Sequence, residues 1–288
     1  MSYKKSIIEN IKKRISDRTF ESKEITEEHY DLIKNYISEE KNLISPLGNR
    51  IKFELIDVKD NNTGKGLKIG TYGIIKNPQA YIAGITKKDK ISLIEFGYIF
   101  EKLVLFLTEL GIGTCWLGGT FTRDSFEREI EYKSDEIIPC VTPIGYPKNK
   151  KRLLEKTMRA LVKANNRKDW ESLFYDNDFN SPLSKENSDI YAVPIEMVRL
   201  GPSASNKQPW RIVLSKDRKN CHFYLEHTPN YGGSKMGFDM QVIDMGIAMC
   251  HFDLTCRELN MDGEWKIDNP NITLPKENME YMISWHLN

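Results

Sequence analysis

The sequence predicts an α+β protein built from two related halves. Three observations predict it. Runs with period-two hydrophobicity alternate with longer runs whose apolar residues fall at helical spacing. A long apolar helical stripe occurs twice, at 91–110 and at 240–260. The second stripe also repeats letters of the first at a constant offset of 149 residues.

The elements follow in order. Residues 4–17 read as an amphipathic helix, with isoleucines at 7, 8, 11 and 15. A second helix follows Ile25-Thr26-Glu27-Glu28, with Thr26 as its N-cap. Residues 51–58 largely alternate and read as a strand, and 79–85 form a second strand after Asn77-Pro78. The stripe at positions 93, 97, 100, 104 and 107 is that of a buried helix. Residues 137–145, rich in Ile and Val, suggest a further strand, and Lys148 to Arg152 begins a solvated helix. Polar residues dominate 165–185, which places the division there: 1–165 and 166–288. The second half restarts with a helix near 184–199, strands near 210–215 and 221–226, and the helix at 240–260. A mixed or antiparallel sheet flanked by helices is expected in each half.

The repeat is concrete. Shifting 94–116 by 149 positions pairs Ile94/Ile243, Gly97/Gly246, Leu105/Leu254, Glu109/Glu258, Leu110/Leu259 and Trp116/Trp265, with Glu95/Asp244 a conservative match. Matched Gly and Trp are rarer than matched Leu, and they favour duplication over two helices of equal period.

Composition narrows the classes of function. Hydrophobic residues make up 40% and charged residues 29% of the 288, which fits a folded chain. No window approaches ~20 uninterrupted apolar residues, so no membrane role is expected. Basic and acidic residues number 42 and 41, so there is no global pull toward nucleic acid. Any anion must be held by a local site. The start lacks an apolar signal core. Five cysteines form no Cys-x-x-Cys pair, which fits reduced thiols and a cytoplasmic setting.

Three segments could carry chemistry. Arg14-Ile15-Ser16-Asp17-Arg18 gathers two guanidiniums and a hydroxyl. On its own it reads first as a solvated helix end; the Arg donor fork also suits phosphate oxygens. Gly201-Pro202-Ser203-Ala204-Ser205-Asn206-Lys207-Gln208-Pro209-Trp210 prescribes an extended loop between helix and strand. Its hydroxyls and amides suit a ligand. Gly111-Ile112-Gly113-Thr114-Cys115-Trp116-Leu117-Gly118-Gly119 follows the buried helix. Gly118 and Gly119 let backbone N–H groups approach a planar ligand, while Gly111 fits a helix C-cap.

Other signals carry less. Cys221-His222 and Cys250-His251 fit no zinc spacing, so no metal is expected. Met240, Met245 and Met249 read as core filler, and His251 as a packed or hydrogen-bonded helix residue. Gly232-Gly233-Ser234-Lys235 lacks the P-loop spacing, and no Ser-His-Asp set stands out.

Together the three segments resemble the nitroreductase family of FMN-dependent oxidoreductases. That family carries Arg-x-Ser-x-Arg near its N-terminus, a Pro-Ser-x-x-Asn-x-Gln-Pro-Trp segment, and a Gly-Leu-Gly-x-x-Trp-x-Gly-Gly-like turn after a long helix. Pro202, Ser203, Asn206, Gln208, Pro209 and Trp210 match the second pattern; Arg14, Ser16 and Arg18 match the first; Ile112 replaces Leu in the third. The order departs from the family's. There the Pro-Ser segment follows the first motif within a few dozen residues, whereas here nearly two hundred separate them. Typical members are homodimers with a flavin at the interface, so this chain resembles both subunits fused, as in a smaller duplicated group. The resemblance implies a nitroreductase-like FMN-binding fold, an internal pseudo-dimer that could serve as a monomer, and an asymmetric pair of sites. Ile44-Ser45-Pro46-Leu47-Gly48-Asn49-Arg50 lacks the Gln-Pro-Trp of its counterpart. Phe174-Tyr175-Asp176-Asn177-Asp178-Phe179 carries carboxylates that would repel a phosphate.

One FMN per chain is therefore expected. Its site would join Arg14, Ser16, Arg18, Leu117, Gly118 and Gly119 to the loop residues Pro202, Ser203, Ala204, Ser205, Asn206 and Gln208. Arg167-Lys168 would close the phosphate end, with Lys150, Lys151 and Arg152 as rivals; a solvated basic helix is the equal reading. The resemblance implies that Arg14 and Ser16 hold the phosphate, that Arg18 lies at the N1–C2 edge of the ring, and that a Gly-Gly turn N–H reaches N5. It further implies ping-pong transfer of a hydride from NAD(P)H to a nitroaromatic, a quinone or a similar acceptor, with no catalytic side chain. The competing expectation is a flavin-binding sensor, carrier or degenerate scaffold without turnover. Another reaction on the same fold, such as dehalogenation or azoline oxidation, is a third.

Overall fold

The computed structural model describes residues 5–58, 73–128, 130–148, 166–229, 231 and 236–288. Lys150, Lys151, Arg152 and the 232–235 glycine run lie outside the described residues.

Helix α1 (Ile7–Lys13) is capped by Ser6, and α2 (Glu27–Ser38) by Thr26, whose hydroxyl accepts from the His29 N–H as its spacing foretold. A short α3 (Glu40–Leu43) leads into β1 (Lys52–Asp57). Strand β2 (Ala80–Lys87), helix α4 (Lys90–Glu109), β3 (Gly113–Thr114), α5 (Arg123–Glu127), β4 (Glu136–Ile137) and β5 (Val141–Gly145) complete the first sheet and its cover. That sheet runs β1-β2-β5-β3, with β4 also on β2, antiparallel throughout.

The second sheet runs β6-β7-β8-β10-β9. It uses β6 (Phe174–Asp176), β7 (Trp210–Leu214), β8 (Asn220–Glu226), β9 (Gly263–Lys266) and β10 (Met279–Leu287). Only β6–β7 is parallel. Helix α7 (Met240–Glu258) covers it, and α6 (Ala192–Leu200) packs on α7.

Helices α4 and α7 pack on each other between the two sheets, α4 also on β2 and α7 on β7 and β8. Both are buried along nearly their whole length, which is why each is apolar on more than one face. Phe96, Phe100 and Phe252 are fully buried here; each contributes about 1.5–3 kcal/mol of hydrophobic burial. The helices cross at glycine. A Cβ on Gly97 would lie 2.1 Å from the Ile243 carbonyl oxygen, and one on Gly246 would lie 1.8 Å from the Ile94 carbonyl oxygen. The contact is reciprocal, and its members are the repeat pairs Gly97/Gly246 and Ile94/Ile243. That is the signature of a twofold-like junction.

Three expectations need correction. The first helix ends at Lys13, not near 17: Arg14 is extended (φ −57°, ψ 126°), and the Asp17 N–H bonds the Thr114 carbonyl. Ser16 pairs with Thr114 through an isolated parallel bridge, so the Arg-rich segment is extended chain beside β3 rather than a helix end. The expected helix at 184–199 begins as a 3₁₀ turn (Glu186–Tyr191) broken at Asp189, whose φ is 50°. The polar stretch 165–185 holds β6, and the chain's last two strands, β9 and β10, had no expected element.

No helix among the described residues is long and apolar enough to cross a membrane. The five cysteines are buried and free. No group of three or more His, Cys, Asp or Glu among the described residues could hold a metal ion.

Candidate functional site

A cavity of about 490 Å³ opens between the two halves. One wall is the extended segment after α1, carrying Arg14, Ser16 and Arg18. A second is the turn after β3, with Trp116, Leu117, Gly118 and Gly119. The third is the loop after α6, with Pro202 through Asn206, backed by Asp244 and Ile247 of α7. Arg14 and Ser203, 189 positions apart in sequence, thus face one space.

The Arg end is cationic and underbonded. The guanidinium nitrogens Nε and Nη1 of Arg18, and Nε of Arg14, are buried without a hydrogen-bond partner among the described residues. Leaving such donors unmade costs about 1–3 kcal/mol each, more for charged groups. An anion or a carbonyl oxygen in the cavity would match them. Arg14 is 9% exposed. Its Nε lies 3.8 Å from Glu101 Oε1, and that carboxylate also takes the Trp116 indole N–H at 2.7 Å.

The glycine turn is a bare wall. A Cβ on Gly119 would meet only Met236 Sδ at 3.8 Å, so backbone lies open to the cavity. At Gly118 a Cβ would strike Met240 Cε at 2.0 Å, the end of a flexible side chain. Arg123 donates to the Gly118 carbonyl at 2.7 Å and the Pro139 carbonyl at 3.0 Å, which fixes the turn.

The loop is held in backbone conformations that side chains seldom adopt. Ser205, Asn206 and Gln208 have φ of 49°, 56° and 50°. Clustered left-handed residues of this kind persist only where surrounding bonds fix them. Here the Ser203 hydroxyl accepts from the Gln208 N–H at 2.8 Å, and Asp244 accepts from the Ala204 N–H at 2.9 Å. Burial pushes the Asp244 carboxyl well above its ordinary 3.8, despite that bond.

Arg167 also lines the cavity, and its guanidinium donates to the Leu200 carbonyl at 2.9 Å. Two expected ligands do not line it. Gln208 is buried, and its side chain accepts from the Lys168 N–H at 2.8 Å and donates to the Asn206 carbonyl at 3.2 Å. Gln208 is a brace beneath the loop. Lys168 Nζ turns to the Gln208 carbonyl at 3.4 Å, and burial, with Arg211 nearby, pulls its ammonium down to about 8. Glu101 and Arg123 escaped the sequence reading, while His251 is the packed, hydrogen-bonded helix residue it was read as. The one signal for Glu101 was a charged residue on an otherwise apolar helix.

A second cavity lies against Ile44, Ser45, Pro46, Tyr98 and Lys102. It meets the counterparts of the Pro202 loop and of Ile247, but not those of the Arg segment or the glycine turn.

The fold and this cavity define a two-sheet α+β protein with an arginine-lined pocket between its halves. A family model described as "Putative TM nitroreductase" matches residues 6–256, and the chain belongs to that family. Among solved structures, a putative nitroreductase from Thermotoga maritima is 22% identical over 100% of this chain and 95% of its own, with a TM-score of 0.59. A putative nitroreductase from Desulfovibrio desulfuricans, solved in complex with FMN, is 17% identical over 53% of this chain and 95% of its own, at 0.41. An FMN-dependent nitroreductase from Clostridium difficile is 22% identical over 50% of this chain and 88% of its own, at 0.38. No curated protein matches.

Proposed function

We propose that the chain is a flavin oxidoreductase that binds one FMN in the cavity between its halves. The observation that carries this reading is the set of buried, partnerless guanidinium nitrogens on Arg14 and Arg18, facing a loop from the far half of the sequence. Family membership and the bare glycine wall support it. Arg14 and Ser16 would hold the phosphate. Arg18 would hold the carbonyl edge of the ring, where a cation favours negative charge. A backbone N–H of 117–119 would bond the ring's N5 edge, and Pro202–Asn206 would take the ribityl chain. When bound, FMN would supply hydride transfer between NAD(P)H and an acceptor such as a nitroaromatic or a quinone. No acid or base side chain is required of the protein.

The two halves, 1–165 and 166–288, then act as an internal pseudo-dimer, a reading supported by the reciprocal glycine crossing. The second half carries no counterpart of the Arg14–Arg18 segment with open guanidinium nitrogens among the described residues. Asp176 is bonded by Arg218 at 2.6 and 2.9 Å where the first half has its phosphate segment.

The test is reconstitution with FMN followed by anaerobic titration with NADH and NADPH. We expect one flavin per chain and bleaching of the flavin absorbance by a stoichiometric amount of one donor. Binding without bleaching would leave a passive flavin carrier, and failure to bind FMN would remove the whole reading.

A further inference from the structure

Beneath Arg14 lies a buried group that the flavin scheme does not use. His251 of α7 and Glu101 of α4 are both 0% exposed and join the two halves. The His251 Nδ1 lies 2.8 Å from the Met197 carbonyl oxygen, and its Nε2 lies 2.9 Å from Glu101 Oε1. A carbonyl oxygen only accepts, so Nδ1 carries a hydrogen. The Nε2–Oε1 contact then needs a second hydrogen, on the ring or on the carboxyl. Without it, a lone pair and a carboxylate would face each other out of water, which is costly.

We propose that Glu101 and His251 share one buried proton, and that this pair is a positioning device that keeps Arg14 an uncompensated cation in the cavity. Charge accounting makes the point. With the proton on the ring, Arg14, Glu101 and His251 sum to one positive charge. With the proton on the carboxyl they also sum to one positive charge. Without His251 as proton partner, the Glu101 carboxylate would neutralise Arg14, from which it is 3.8 Å away. The same carboxyl takes the Trp116 indole N–H at 2.7 Å, and Trp116 lines the cavity. The pair therefore sets the charge and the shape of one wall. The ligand chemistry it serves is a phosphate monoester, which rests on the assignment of Arg14 to the flavin phosphate.

A charge cycle tests it, with binding read by quenching of flavin fluorescence. His251→Gln keeps a hydrogen-bonding side chain but removes the proton partner. It should weaken FMN about tenfold, the effect of one unit charge at this range, and leave riboflavin, which has no phosphate, within about twofold. Glu101→Gln should bind FMN as tightly as the parent or tighter, although it alters a fully buried group. The double variant should return to within about twofold of the parent. A purely structural role for the pair predicts the opposite: each variant weakens FMN and riboflavin alike, and the double is worst. That result would overturn the proposal. If His251→Gln does not fold, Glu101→Gln alone decides, because tenfold weakening there is incompatible with the scheme. Nitrogen-15 NMR of the His251 ring in the flavin-free protein gives an independent reading. A neutral ring with an unbonded Nε2 would overturn the shared proton without touching the flavin assignment. Failure of the parent to bind FMN would sink the flavin reading and leave the NMR result standing.

Discussion

Two loops, one in each half, hang from the central helices by the same device and end differently. In the first half Glu95 takes the Ser45 hydroxyl, the Leu47 N–H at 3.0 Å and the Asn49 amide. In the second, Asp244, its repeat partner, takes only the Ala204 N–H, and its Oδ2 is buried without a partner. The first loop is closed on its own acid and presents few polar groups to a ligand. The second is braced from below by Gln208, and its Ser203, Ser205 and Asn206 side chains accept from the Gln208 N–H, the Tyr231 hydroxyl and the Arg167 guanidinium along the cavity wall. One arrangement has thus become a loop closed on its own acid on one side and, on the other, a loop that lines the cavity with Arg14 and Arg18. The opposing segments differ in the same sense, since the guanidiniums after α1 face a cavity while Arg218 is bonded to Asp176.

The largest expected effect breaks that comparison at the cations. Arg18→Ala should weaken FMN by on the order of 100-fold, because hydrogen bonds to a charged donor contribute about 1.5–3 kcal/mol each. It should weaken riboflavin too, since Arg18 is assigned to the ring edge. Arg218→Ala should leave both affinities unchanged. Fluorescence titration reads all four numbers, and equal losses from the two Arg variants would undo the asymmetry.

Next come the paired glycines. Gly97→Ala and Gly246→Ala each drive a methyl into a backbone carbonyl of the facing helix, at 2.1 and 1.8 Å. Backbone cannot turn aside as a side chain can, so each should destabilise by roughly 3 kcal/mol or more, at or above the upper end for overpacking. Thermal unfolding should show similar drops for both, as a twofold-like crossing requires. Gly119→Ala is the control. It meets nothing closer than 3.8 Å and should leave the melting temperature unchanged while lowering FMN affinity.

Much of this was legible in the sequence, and the misses share a cause. The central helices, their repeat and the three motif segments were readable because close helix crossing demands glycine and a tight ligand loop demands Pro, Ser and Asn. Strand β10 was not, because its pairing with β8 shifts register between Tyr281 and Ile283. That irregularity breaks the alternation from which a strand is read. The Arg segment reads as helix by its isoleucine spacing, yet pairing of Ser16 with Thr114 overrides it. Gln208 looked like a ligand because the pattern groups it with Asn206, but the left-handed turn at 205–208 sends it inward. His251 reads as a packed or hydrogen-bonded helix residue and is one, but its partners, Glu101 of α4 and the Met197 carbonyl of α6, lie on other elements and no local pattern names them.

The smallest effect sharpens the comparison most. Glu95→Gln should cost about 1–3 kcal/mol, since an amide keeps one acceptor oxygen where the carboxylate uses two and must turn its NH2 toward the Asn49 amide or toward the Ser45 and Leu47 donors. Asp244→Asn should be neutral or stabilising. With its carboxyl raised above 3.8 by burial, the folded chain holds a proton that the unfolded chain has released wherever the pH lies between the ordinary carboxyl range and the raised native value. Stability therefore falls as pH rises from the ordinary carboxyl range toward the raised native value. Asparagine cannot ionise, so the variant should lose that slope, and its advantage over the parent should grow from pH 5 to pH 8. Urea unfolding at the two pH values measures it. A parent and a variant with parallel profiles would mean that Asp244 is ionised in the fold, and the two acids would then differ only in how many bonds they accept.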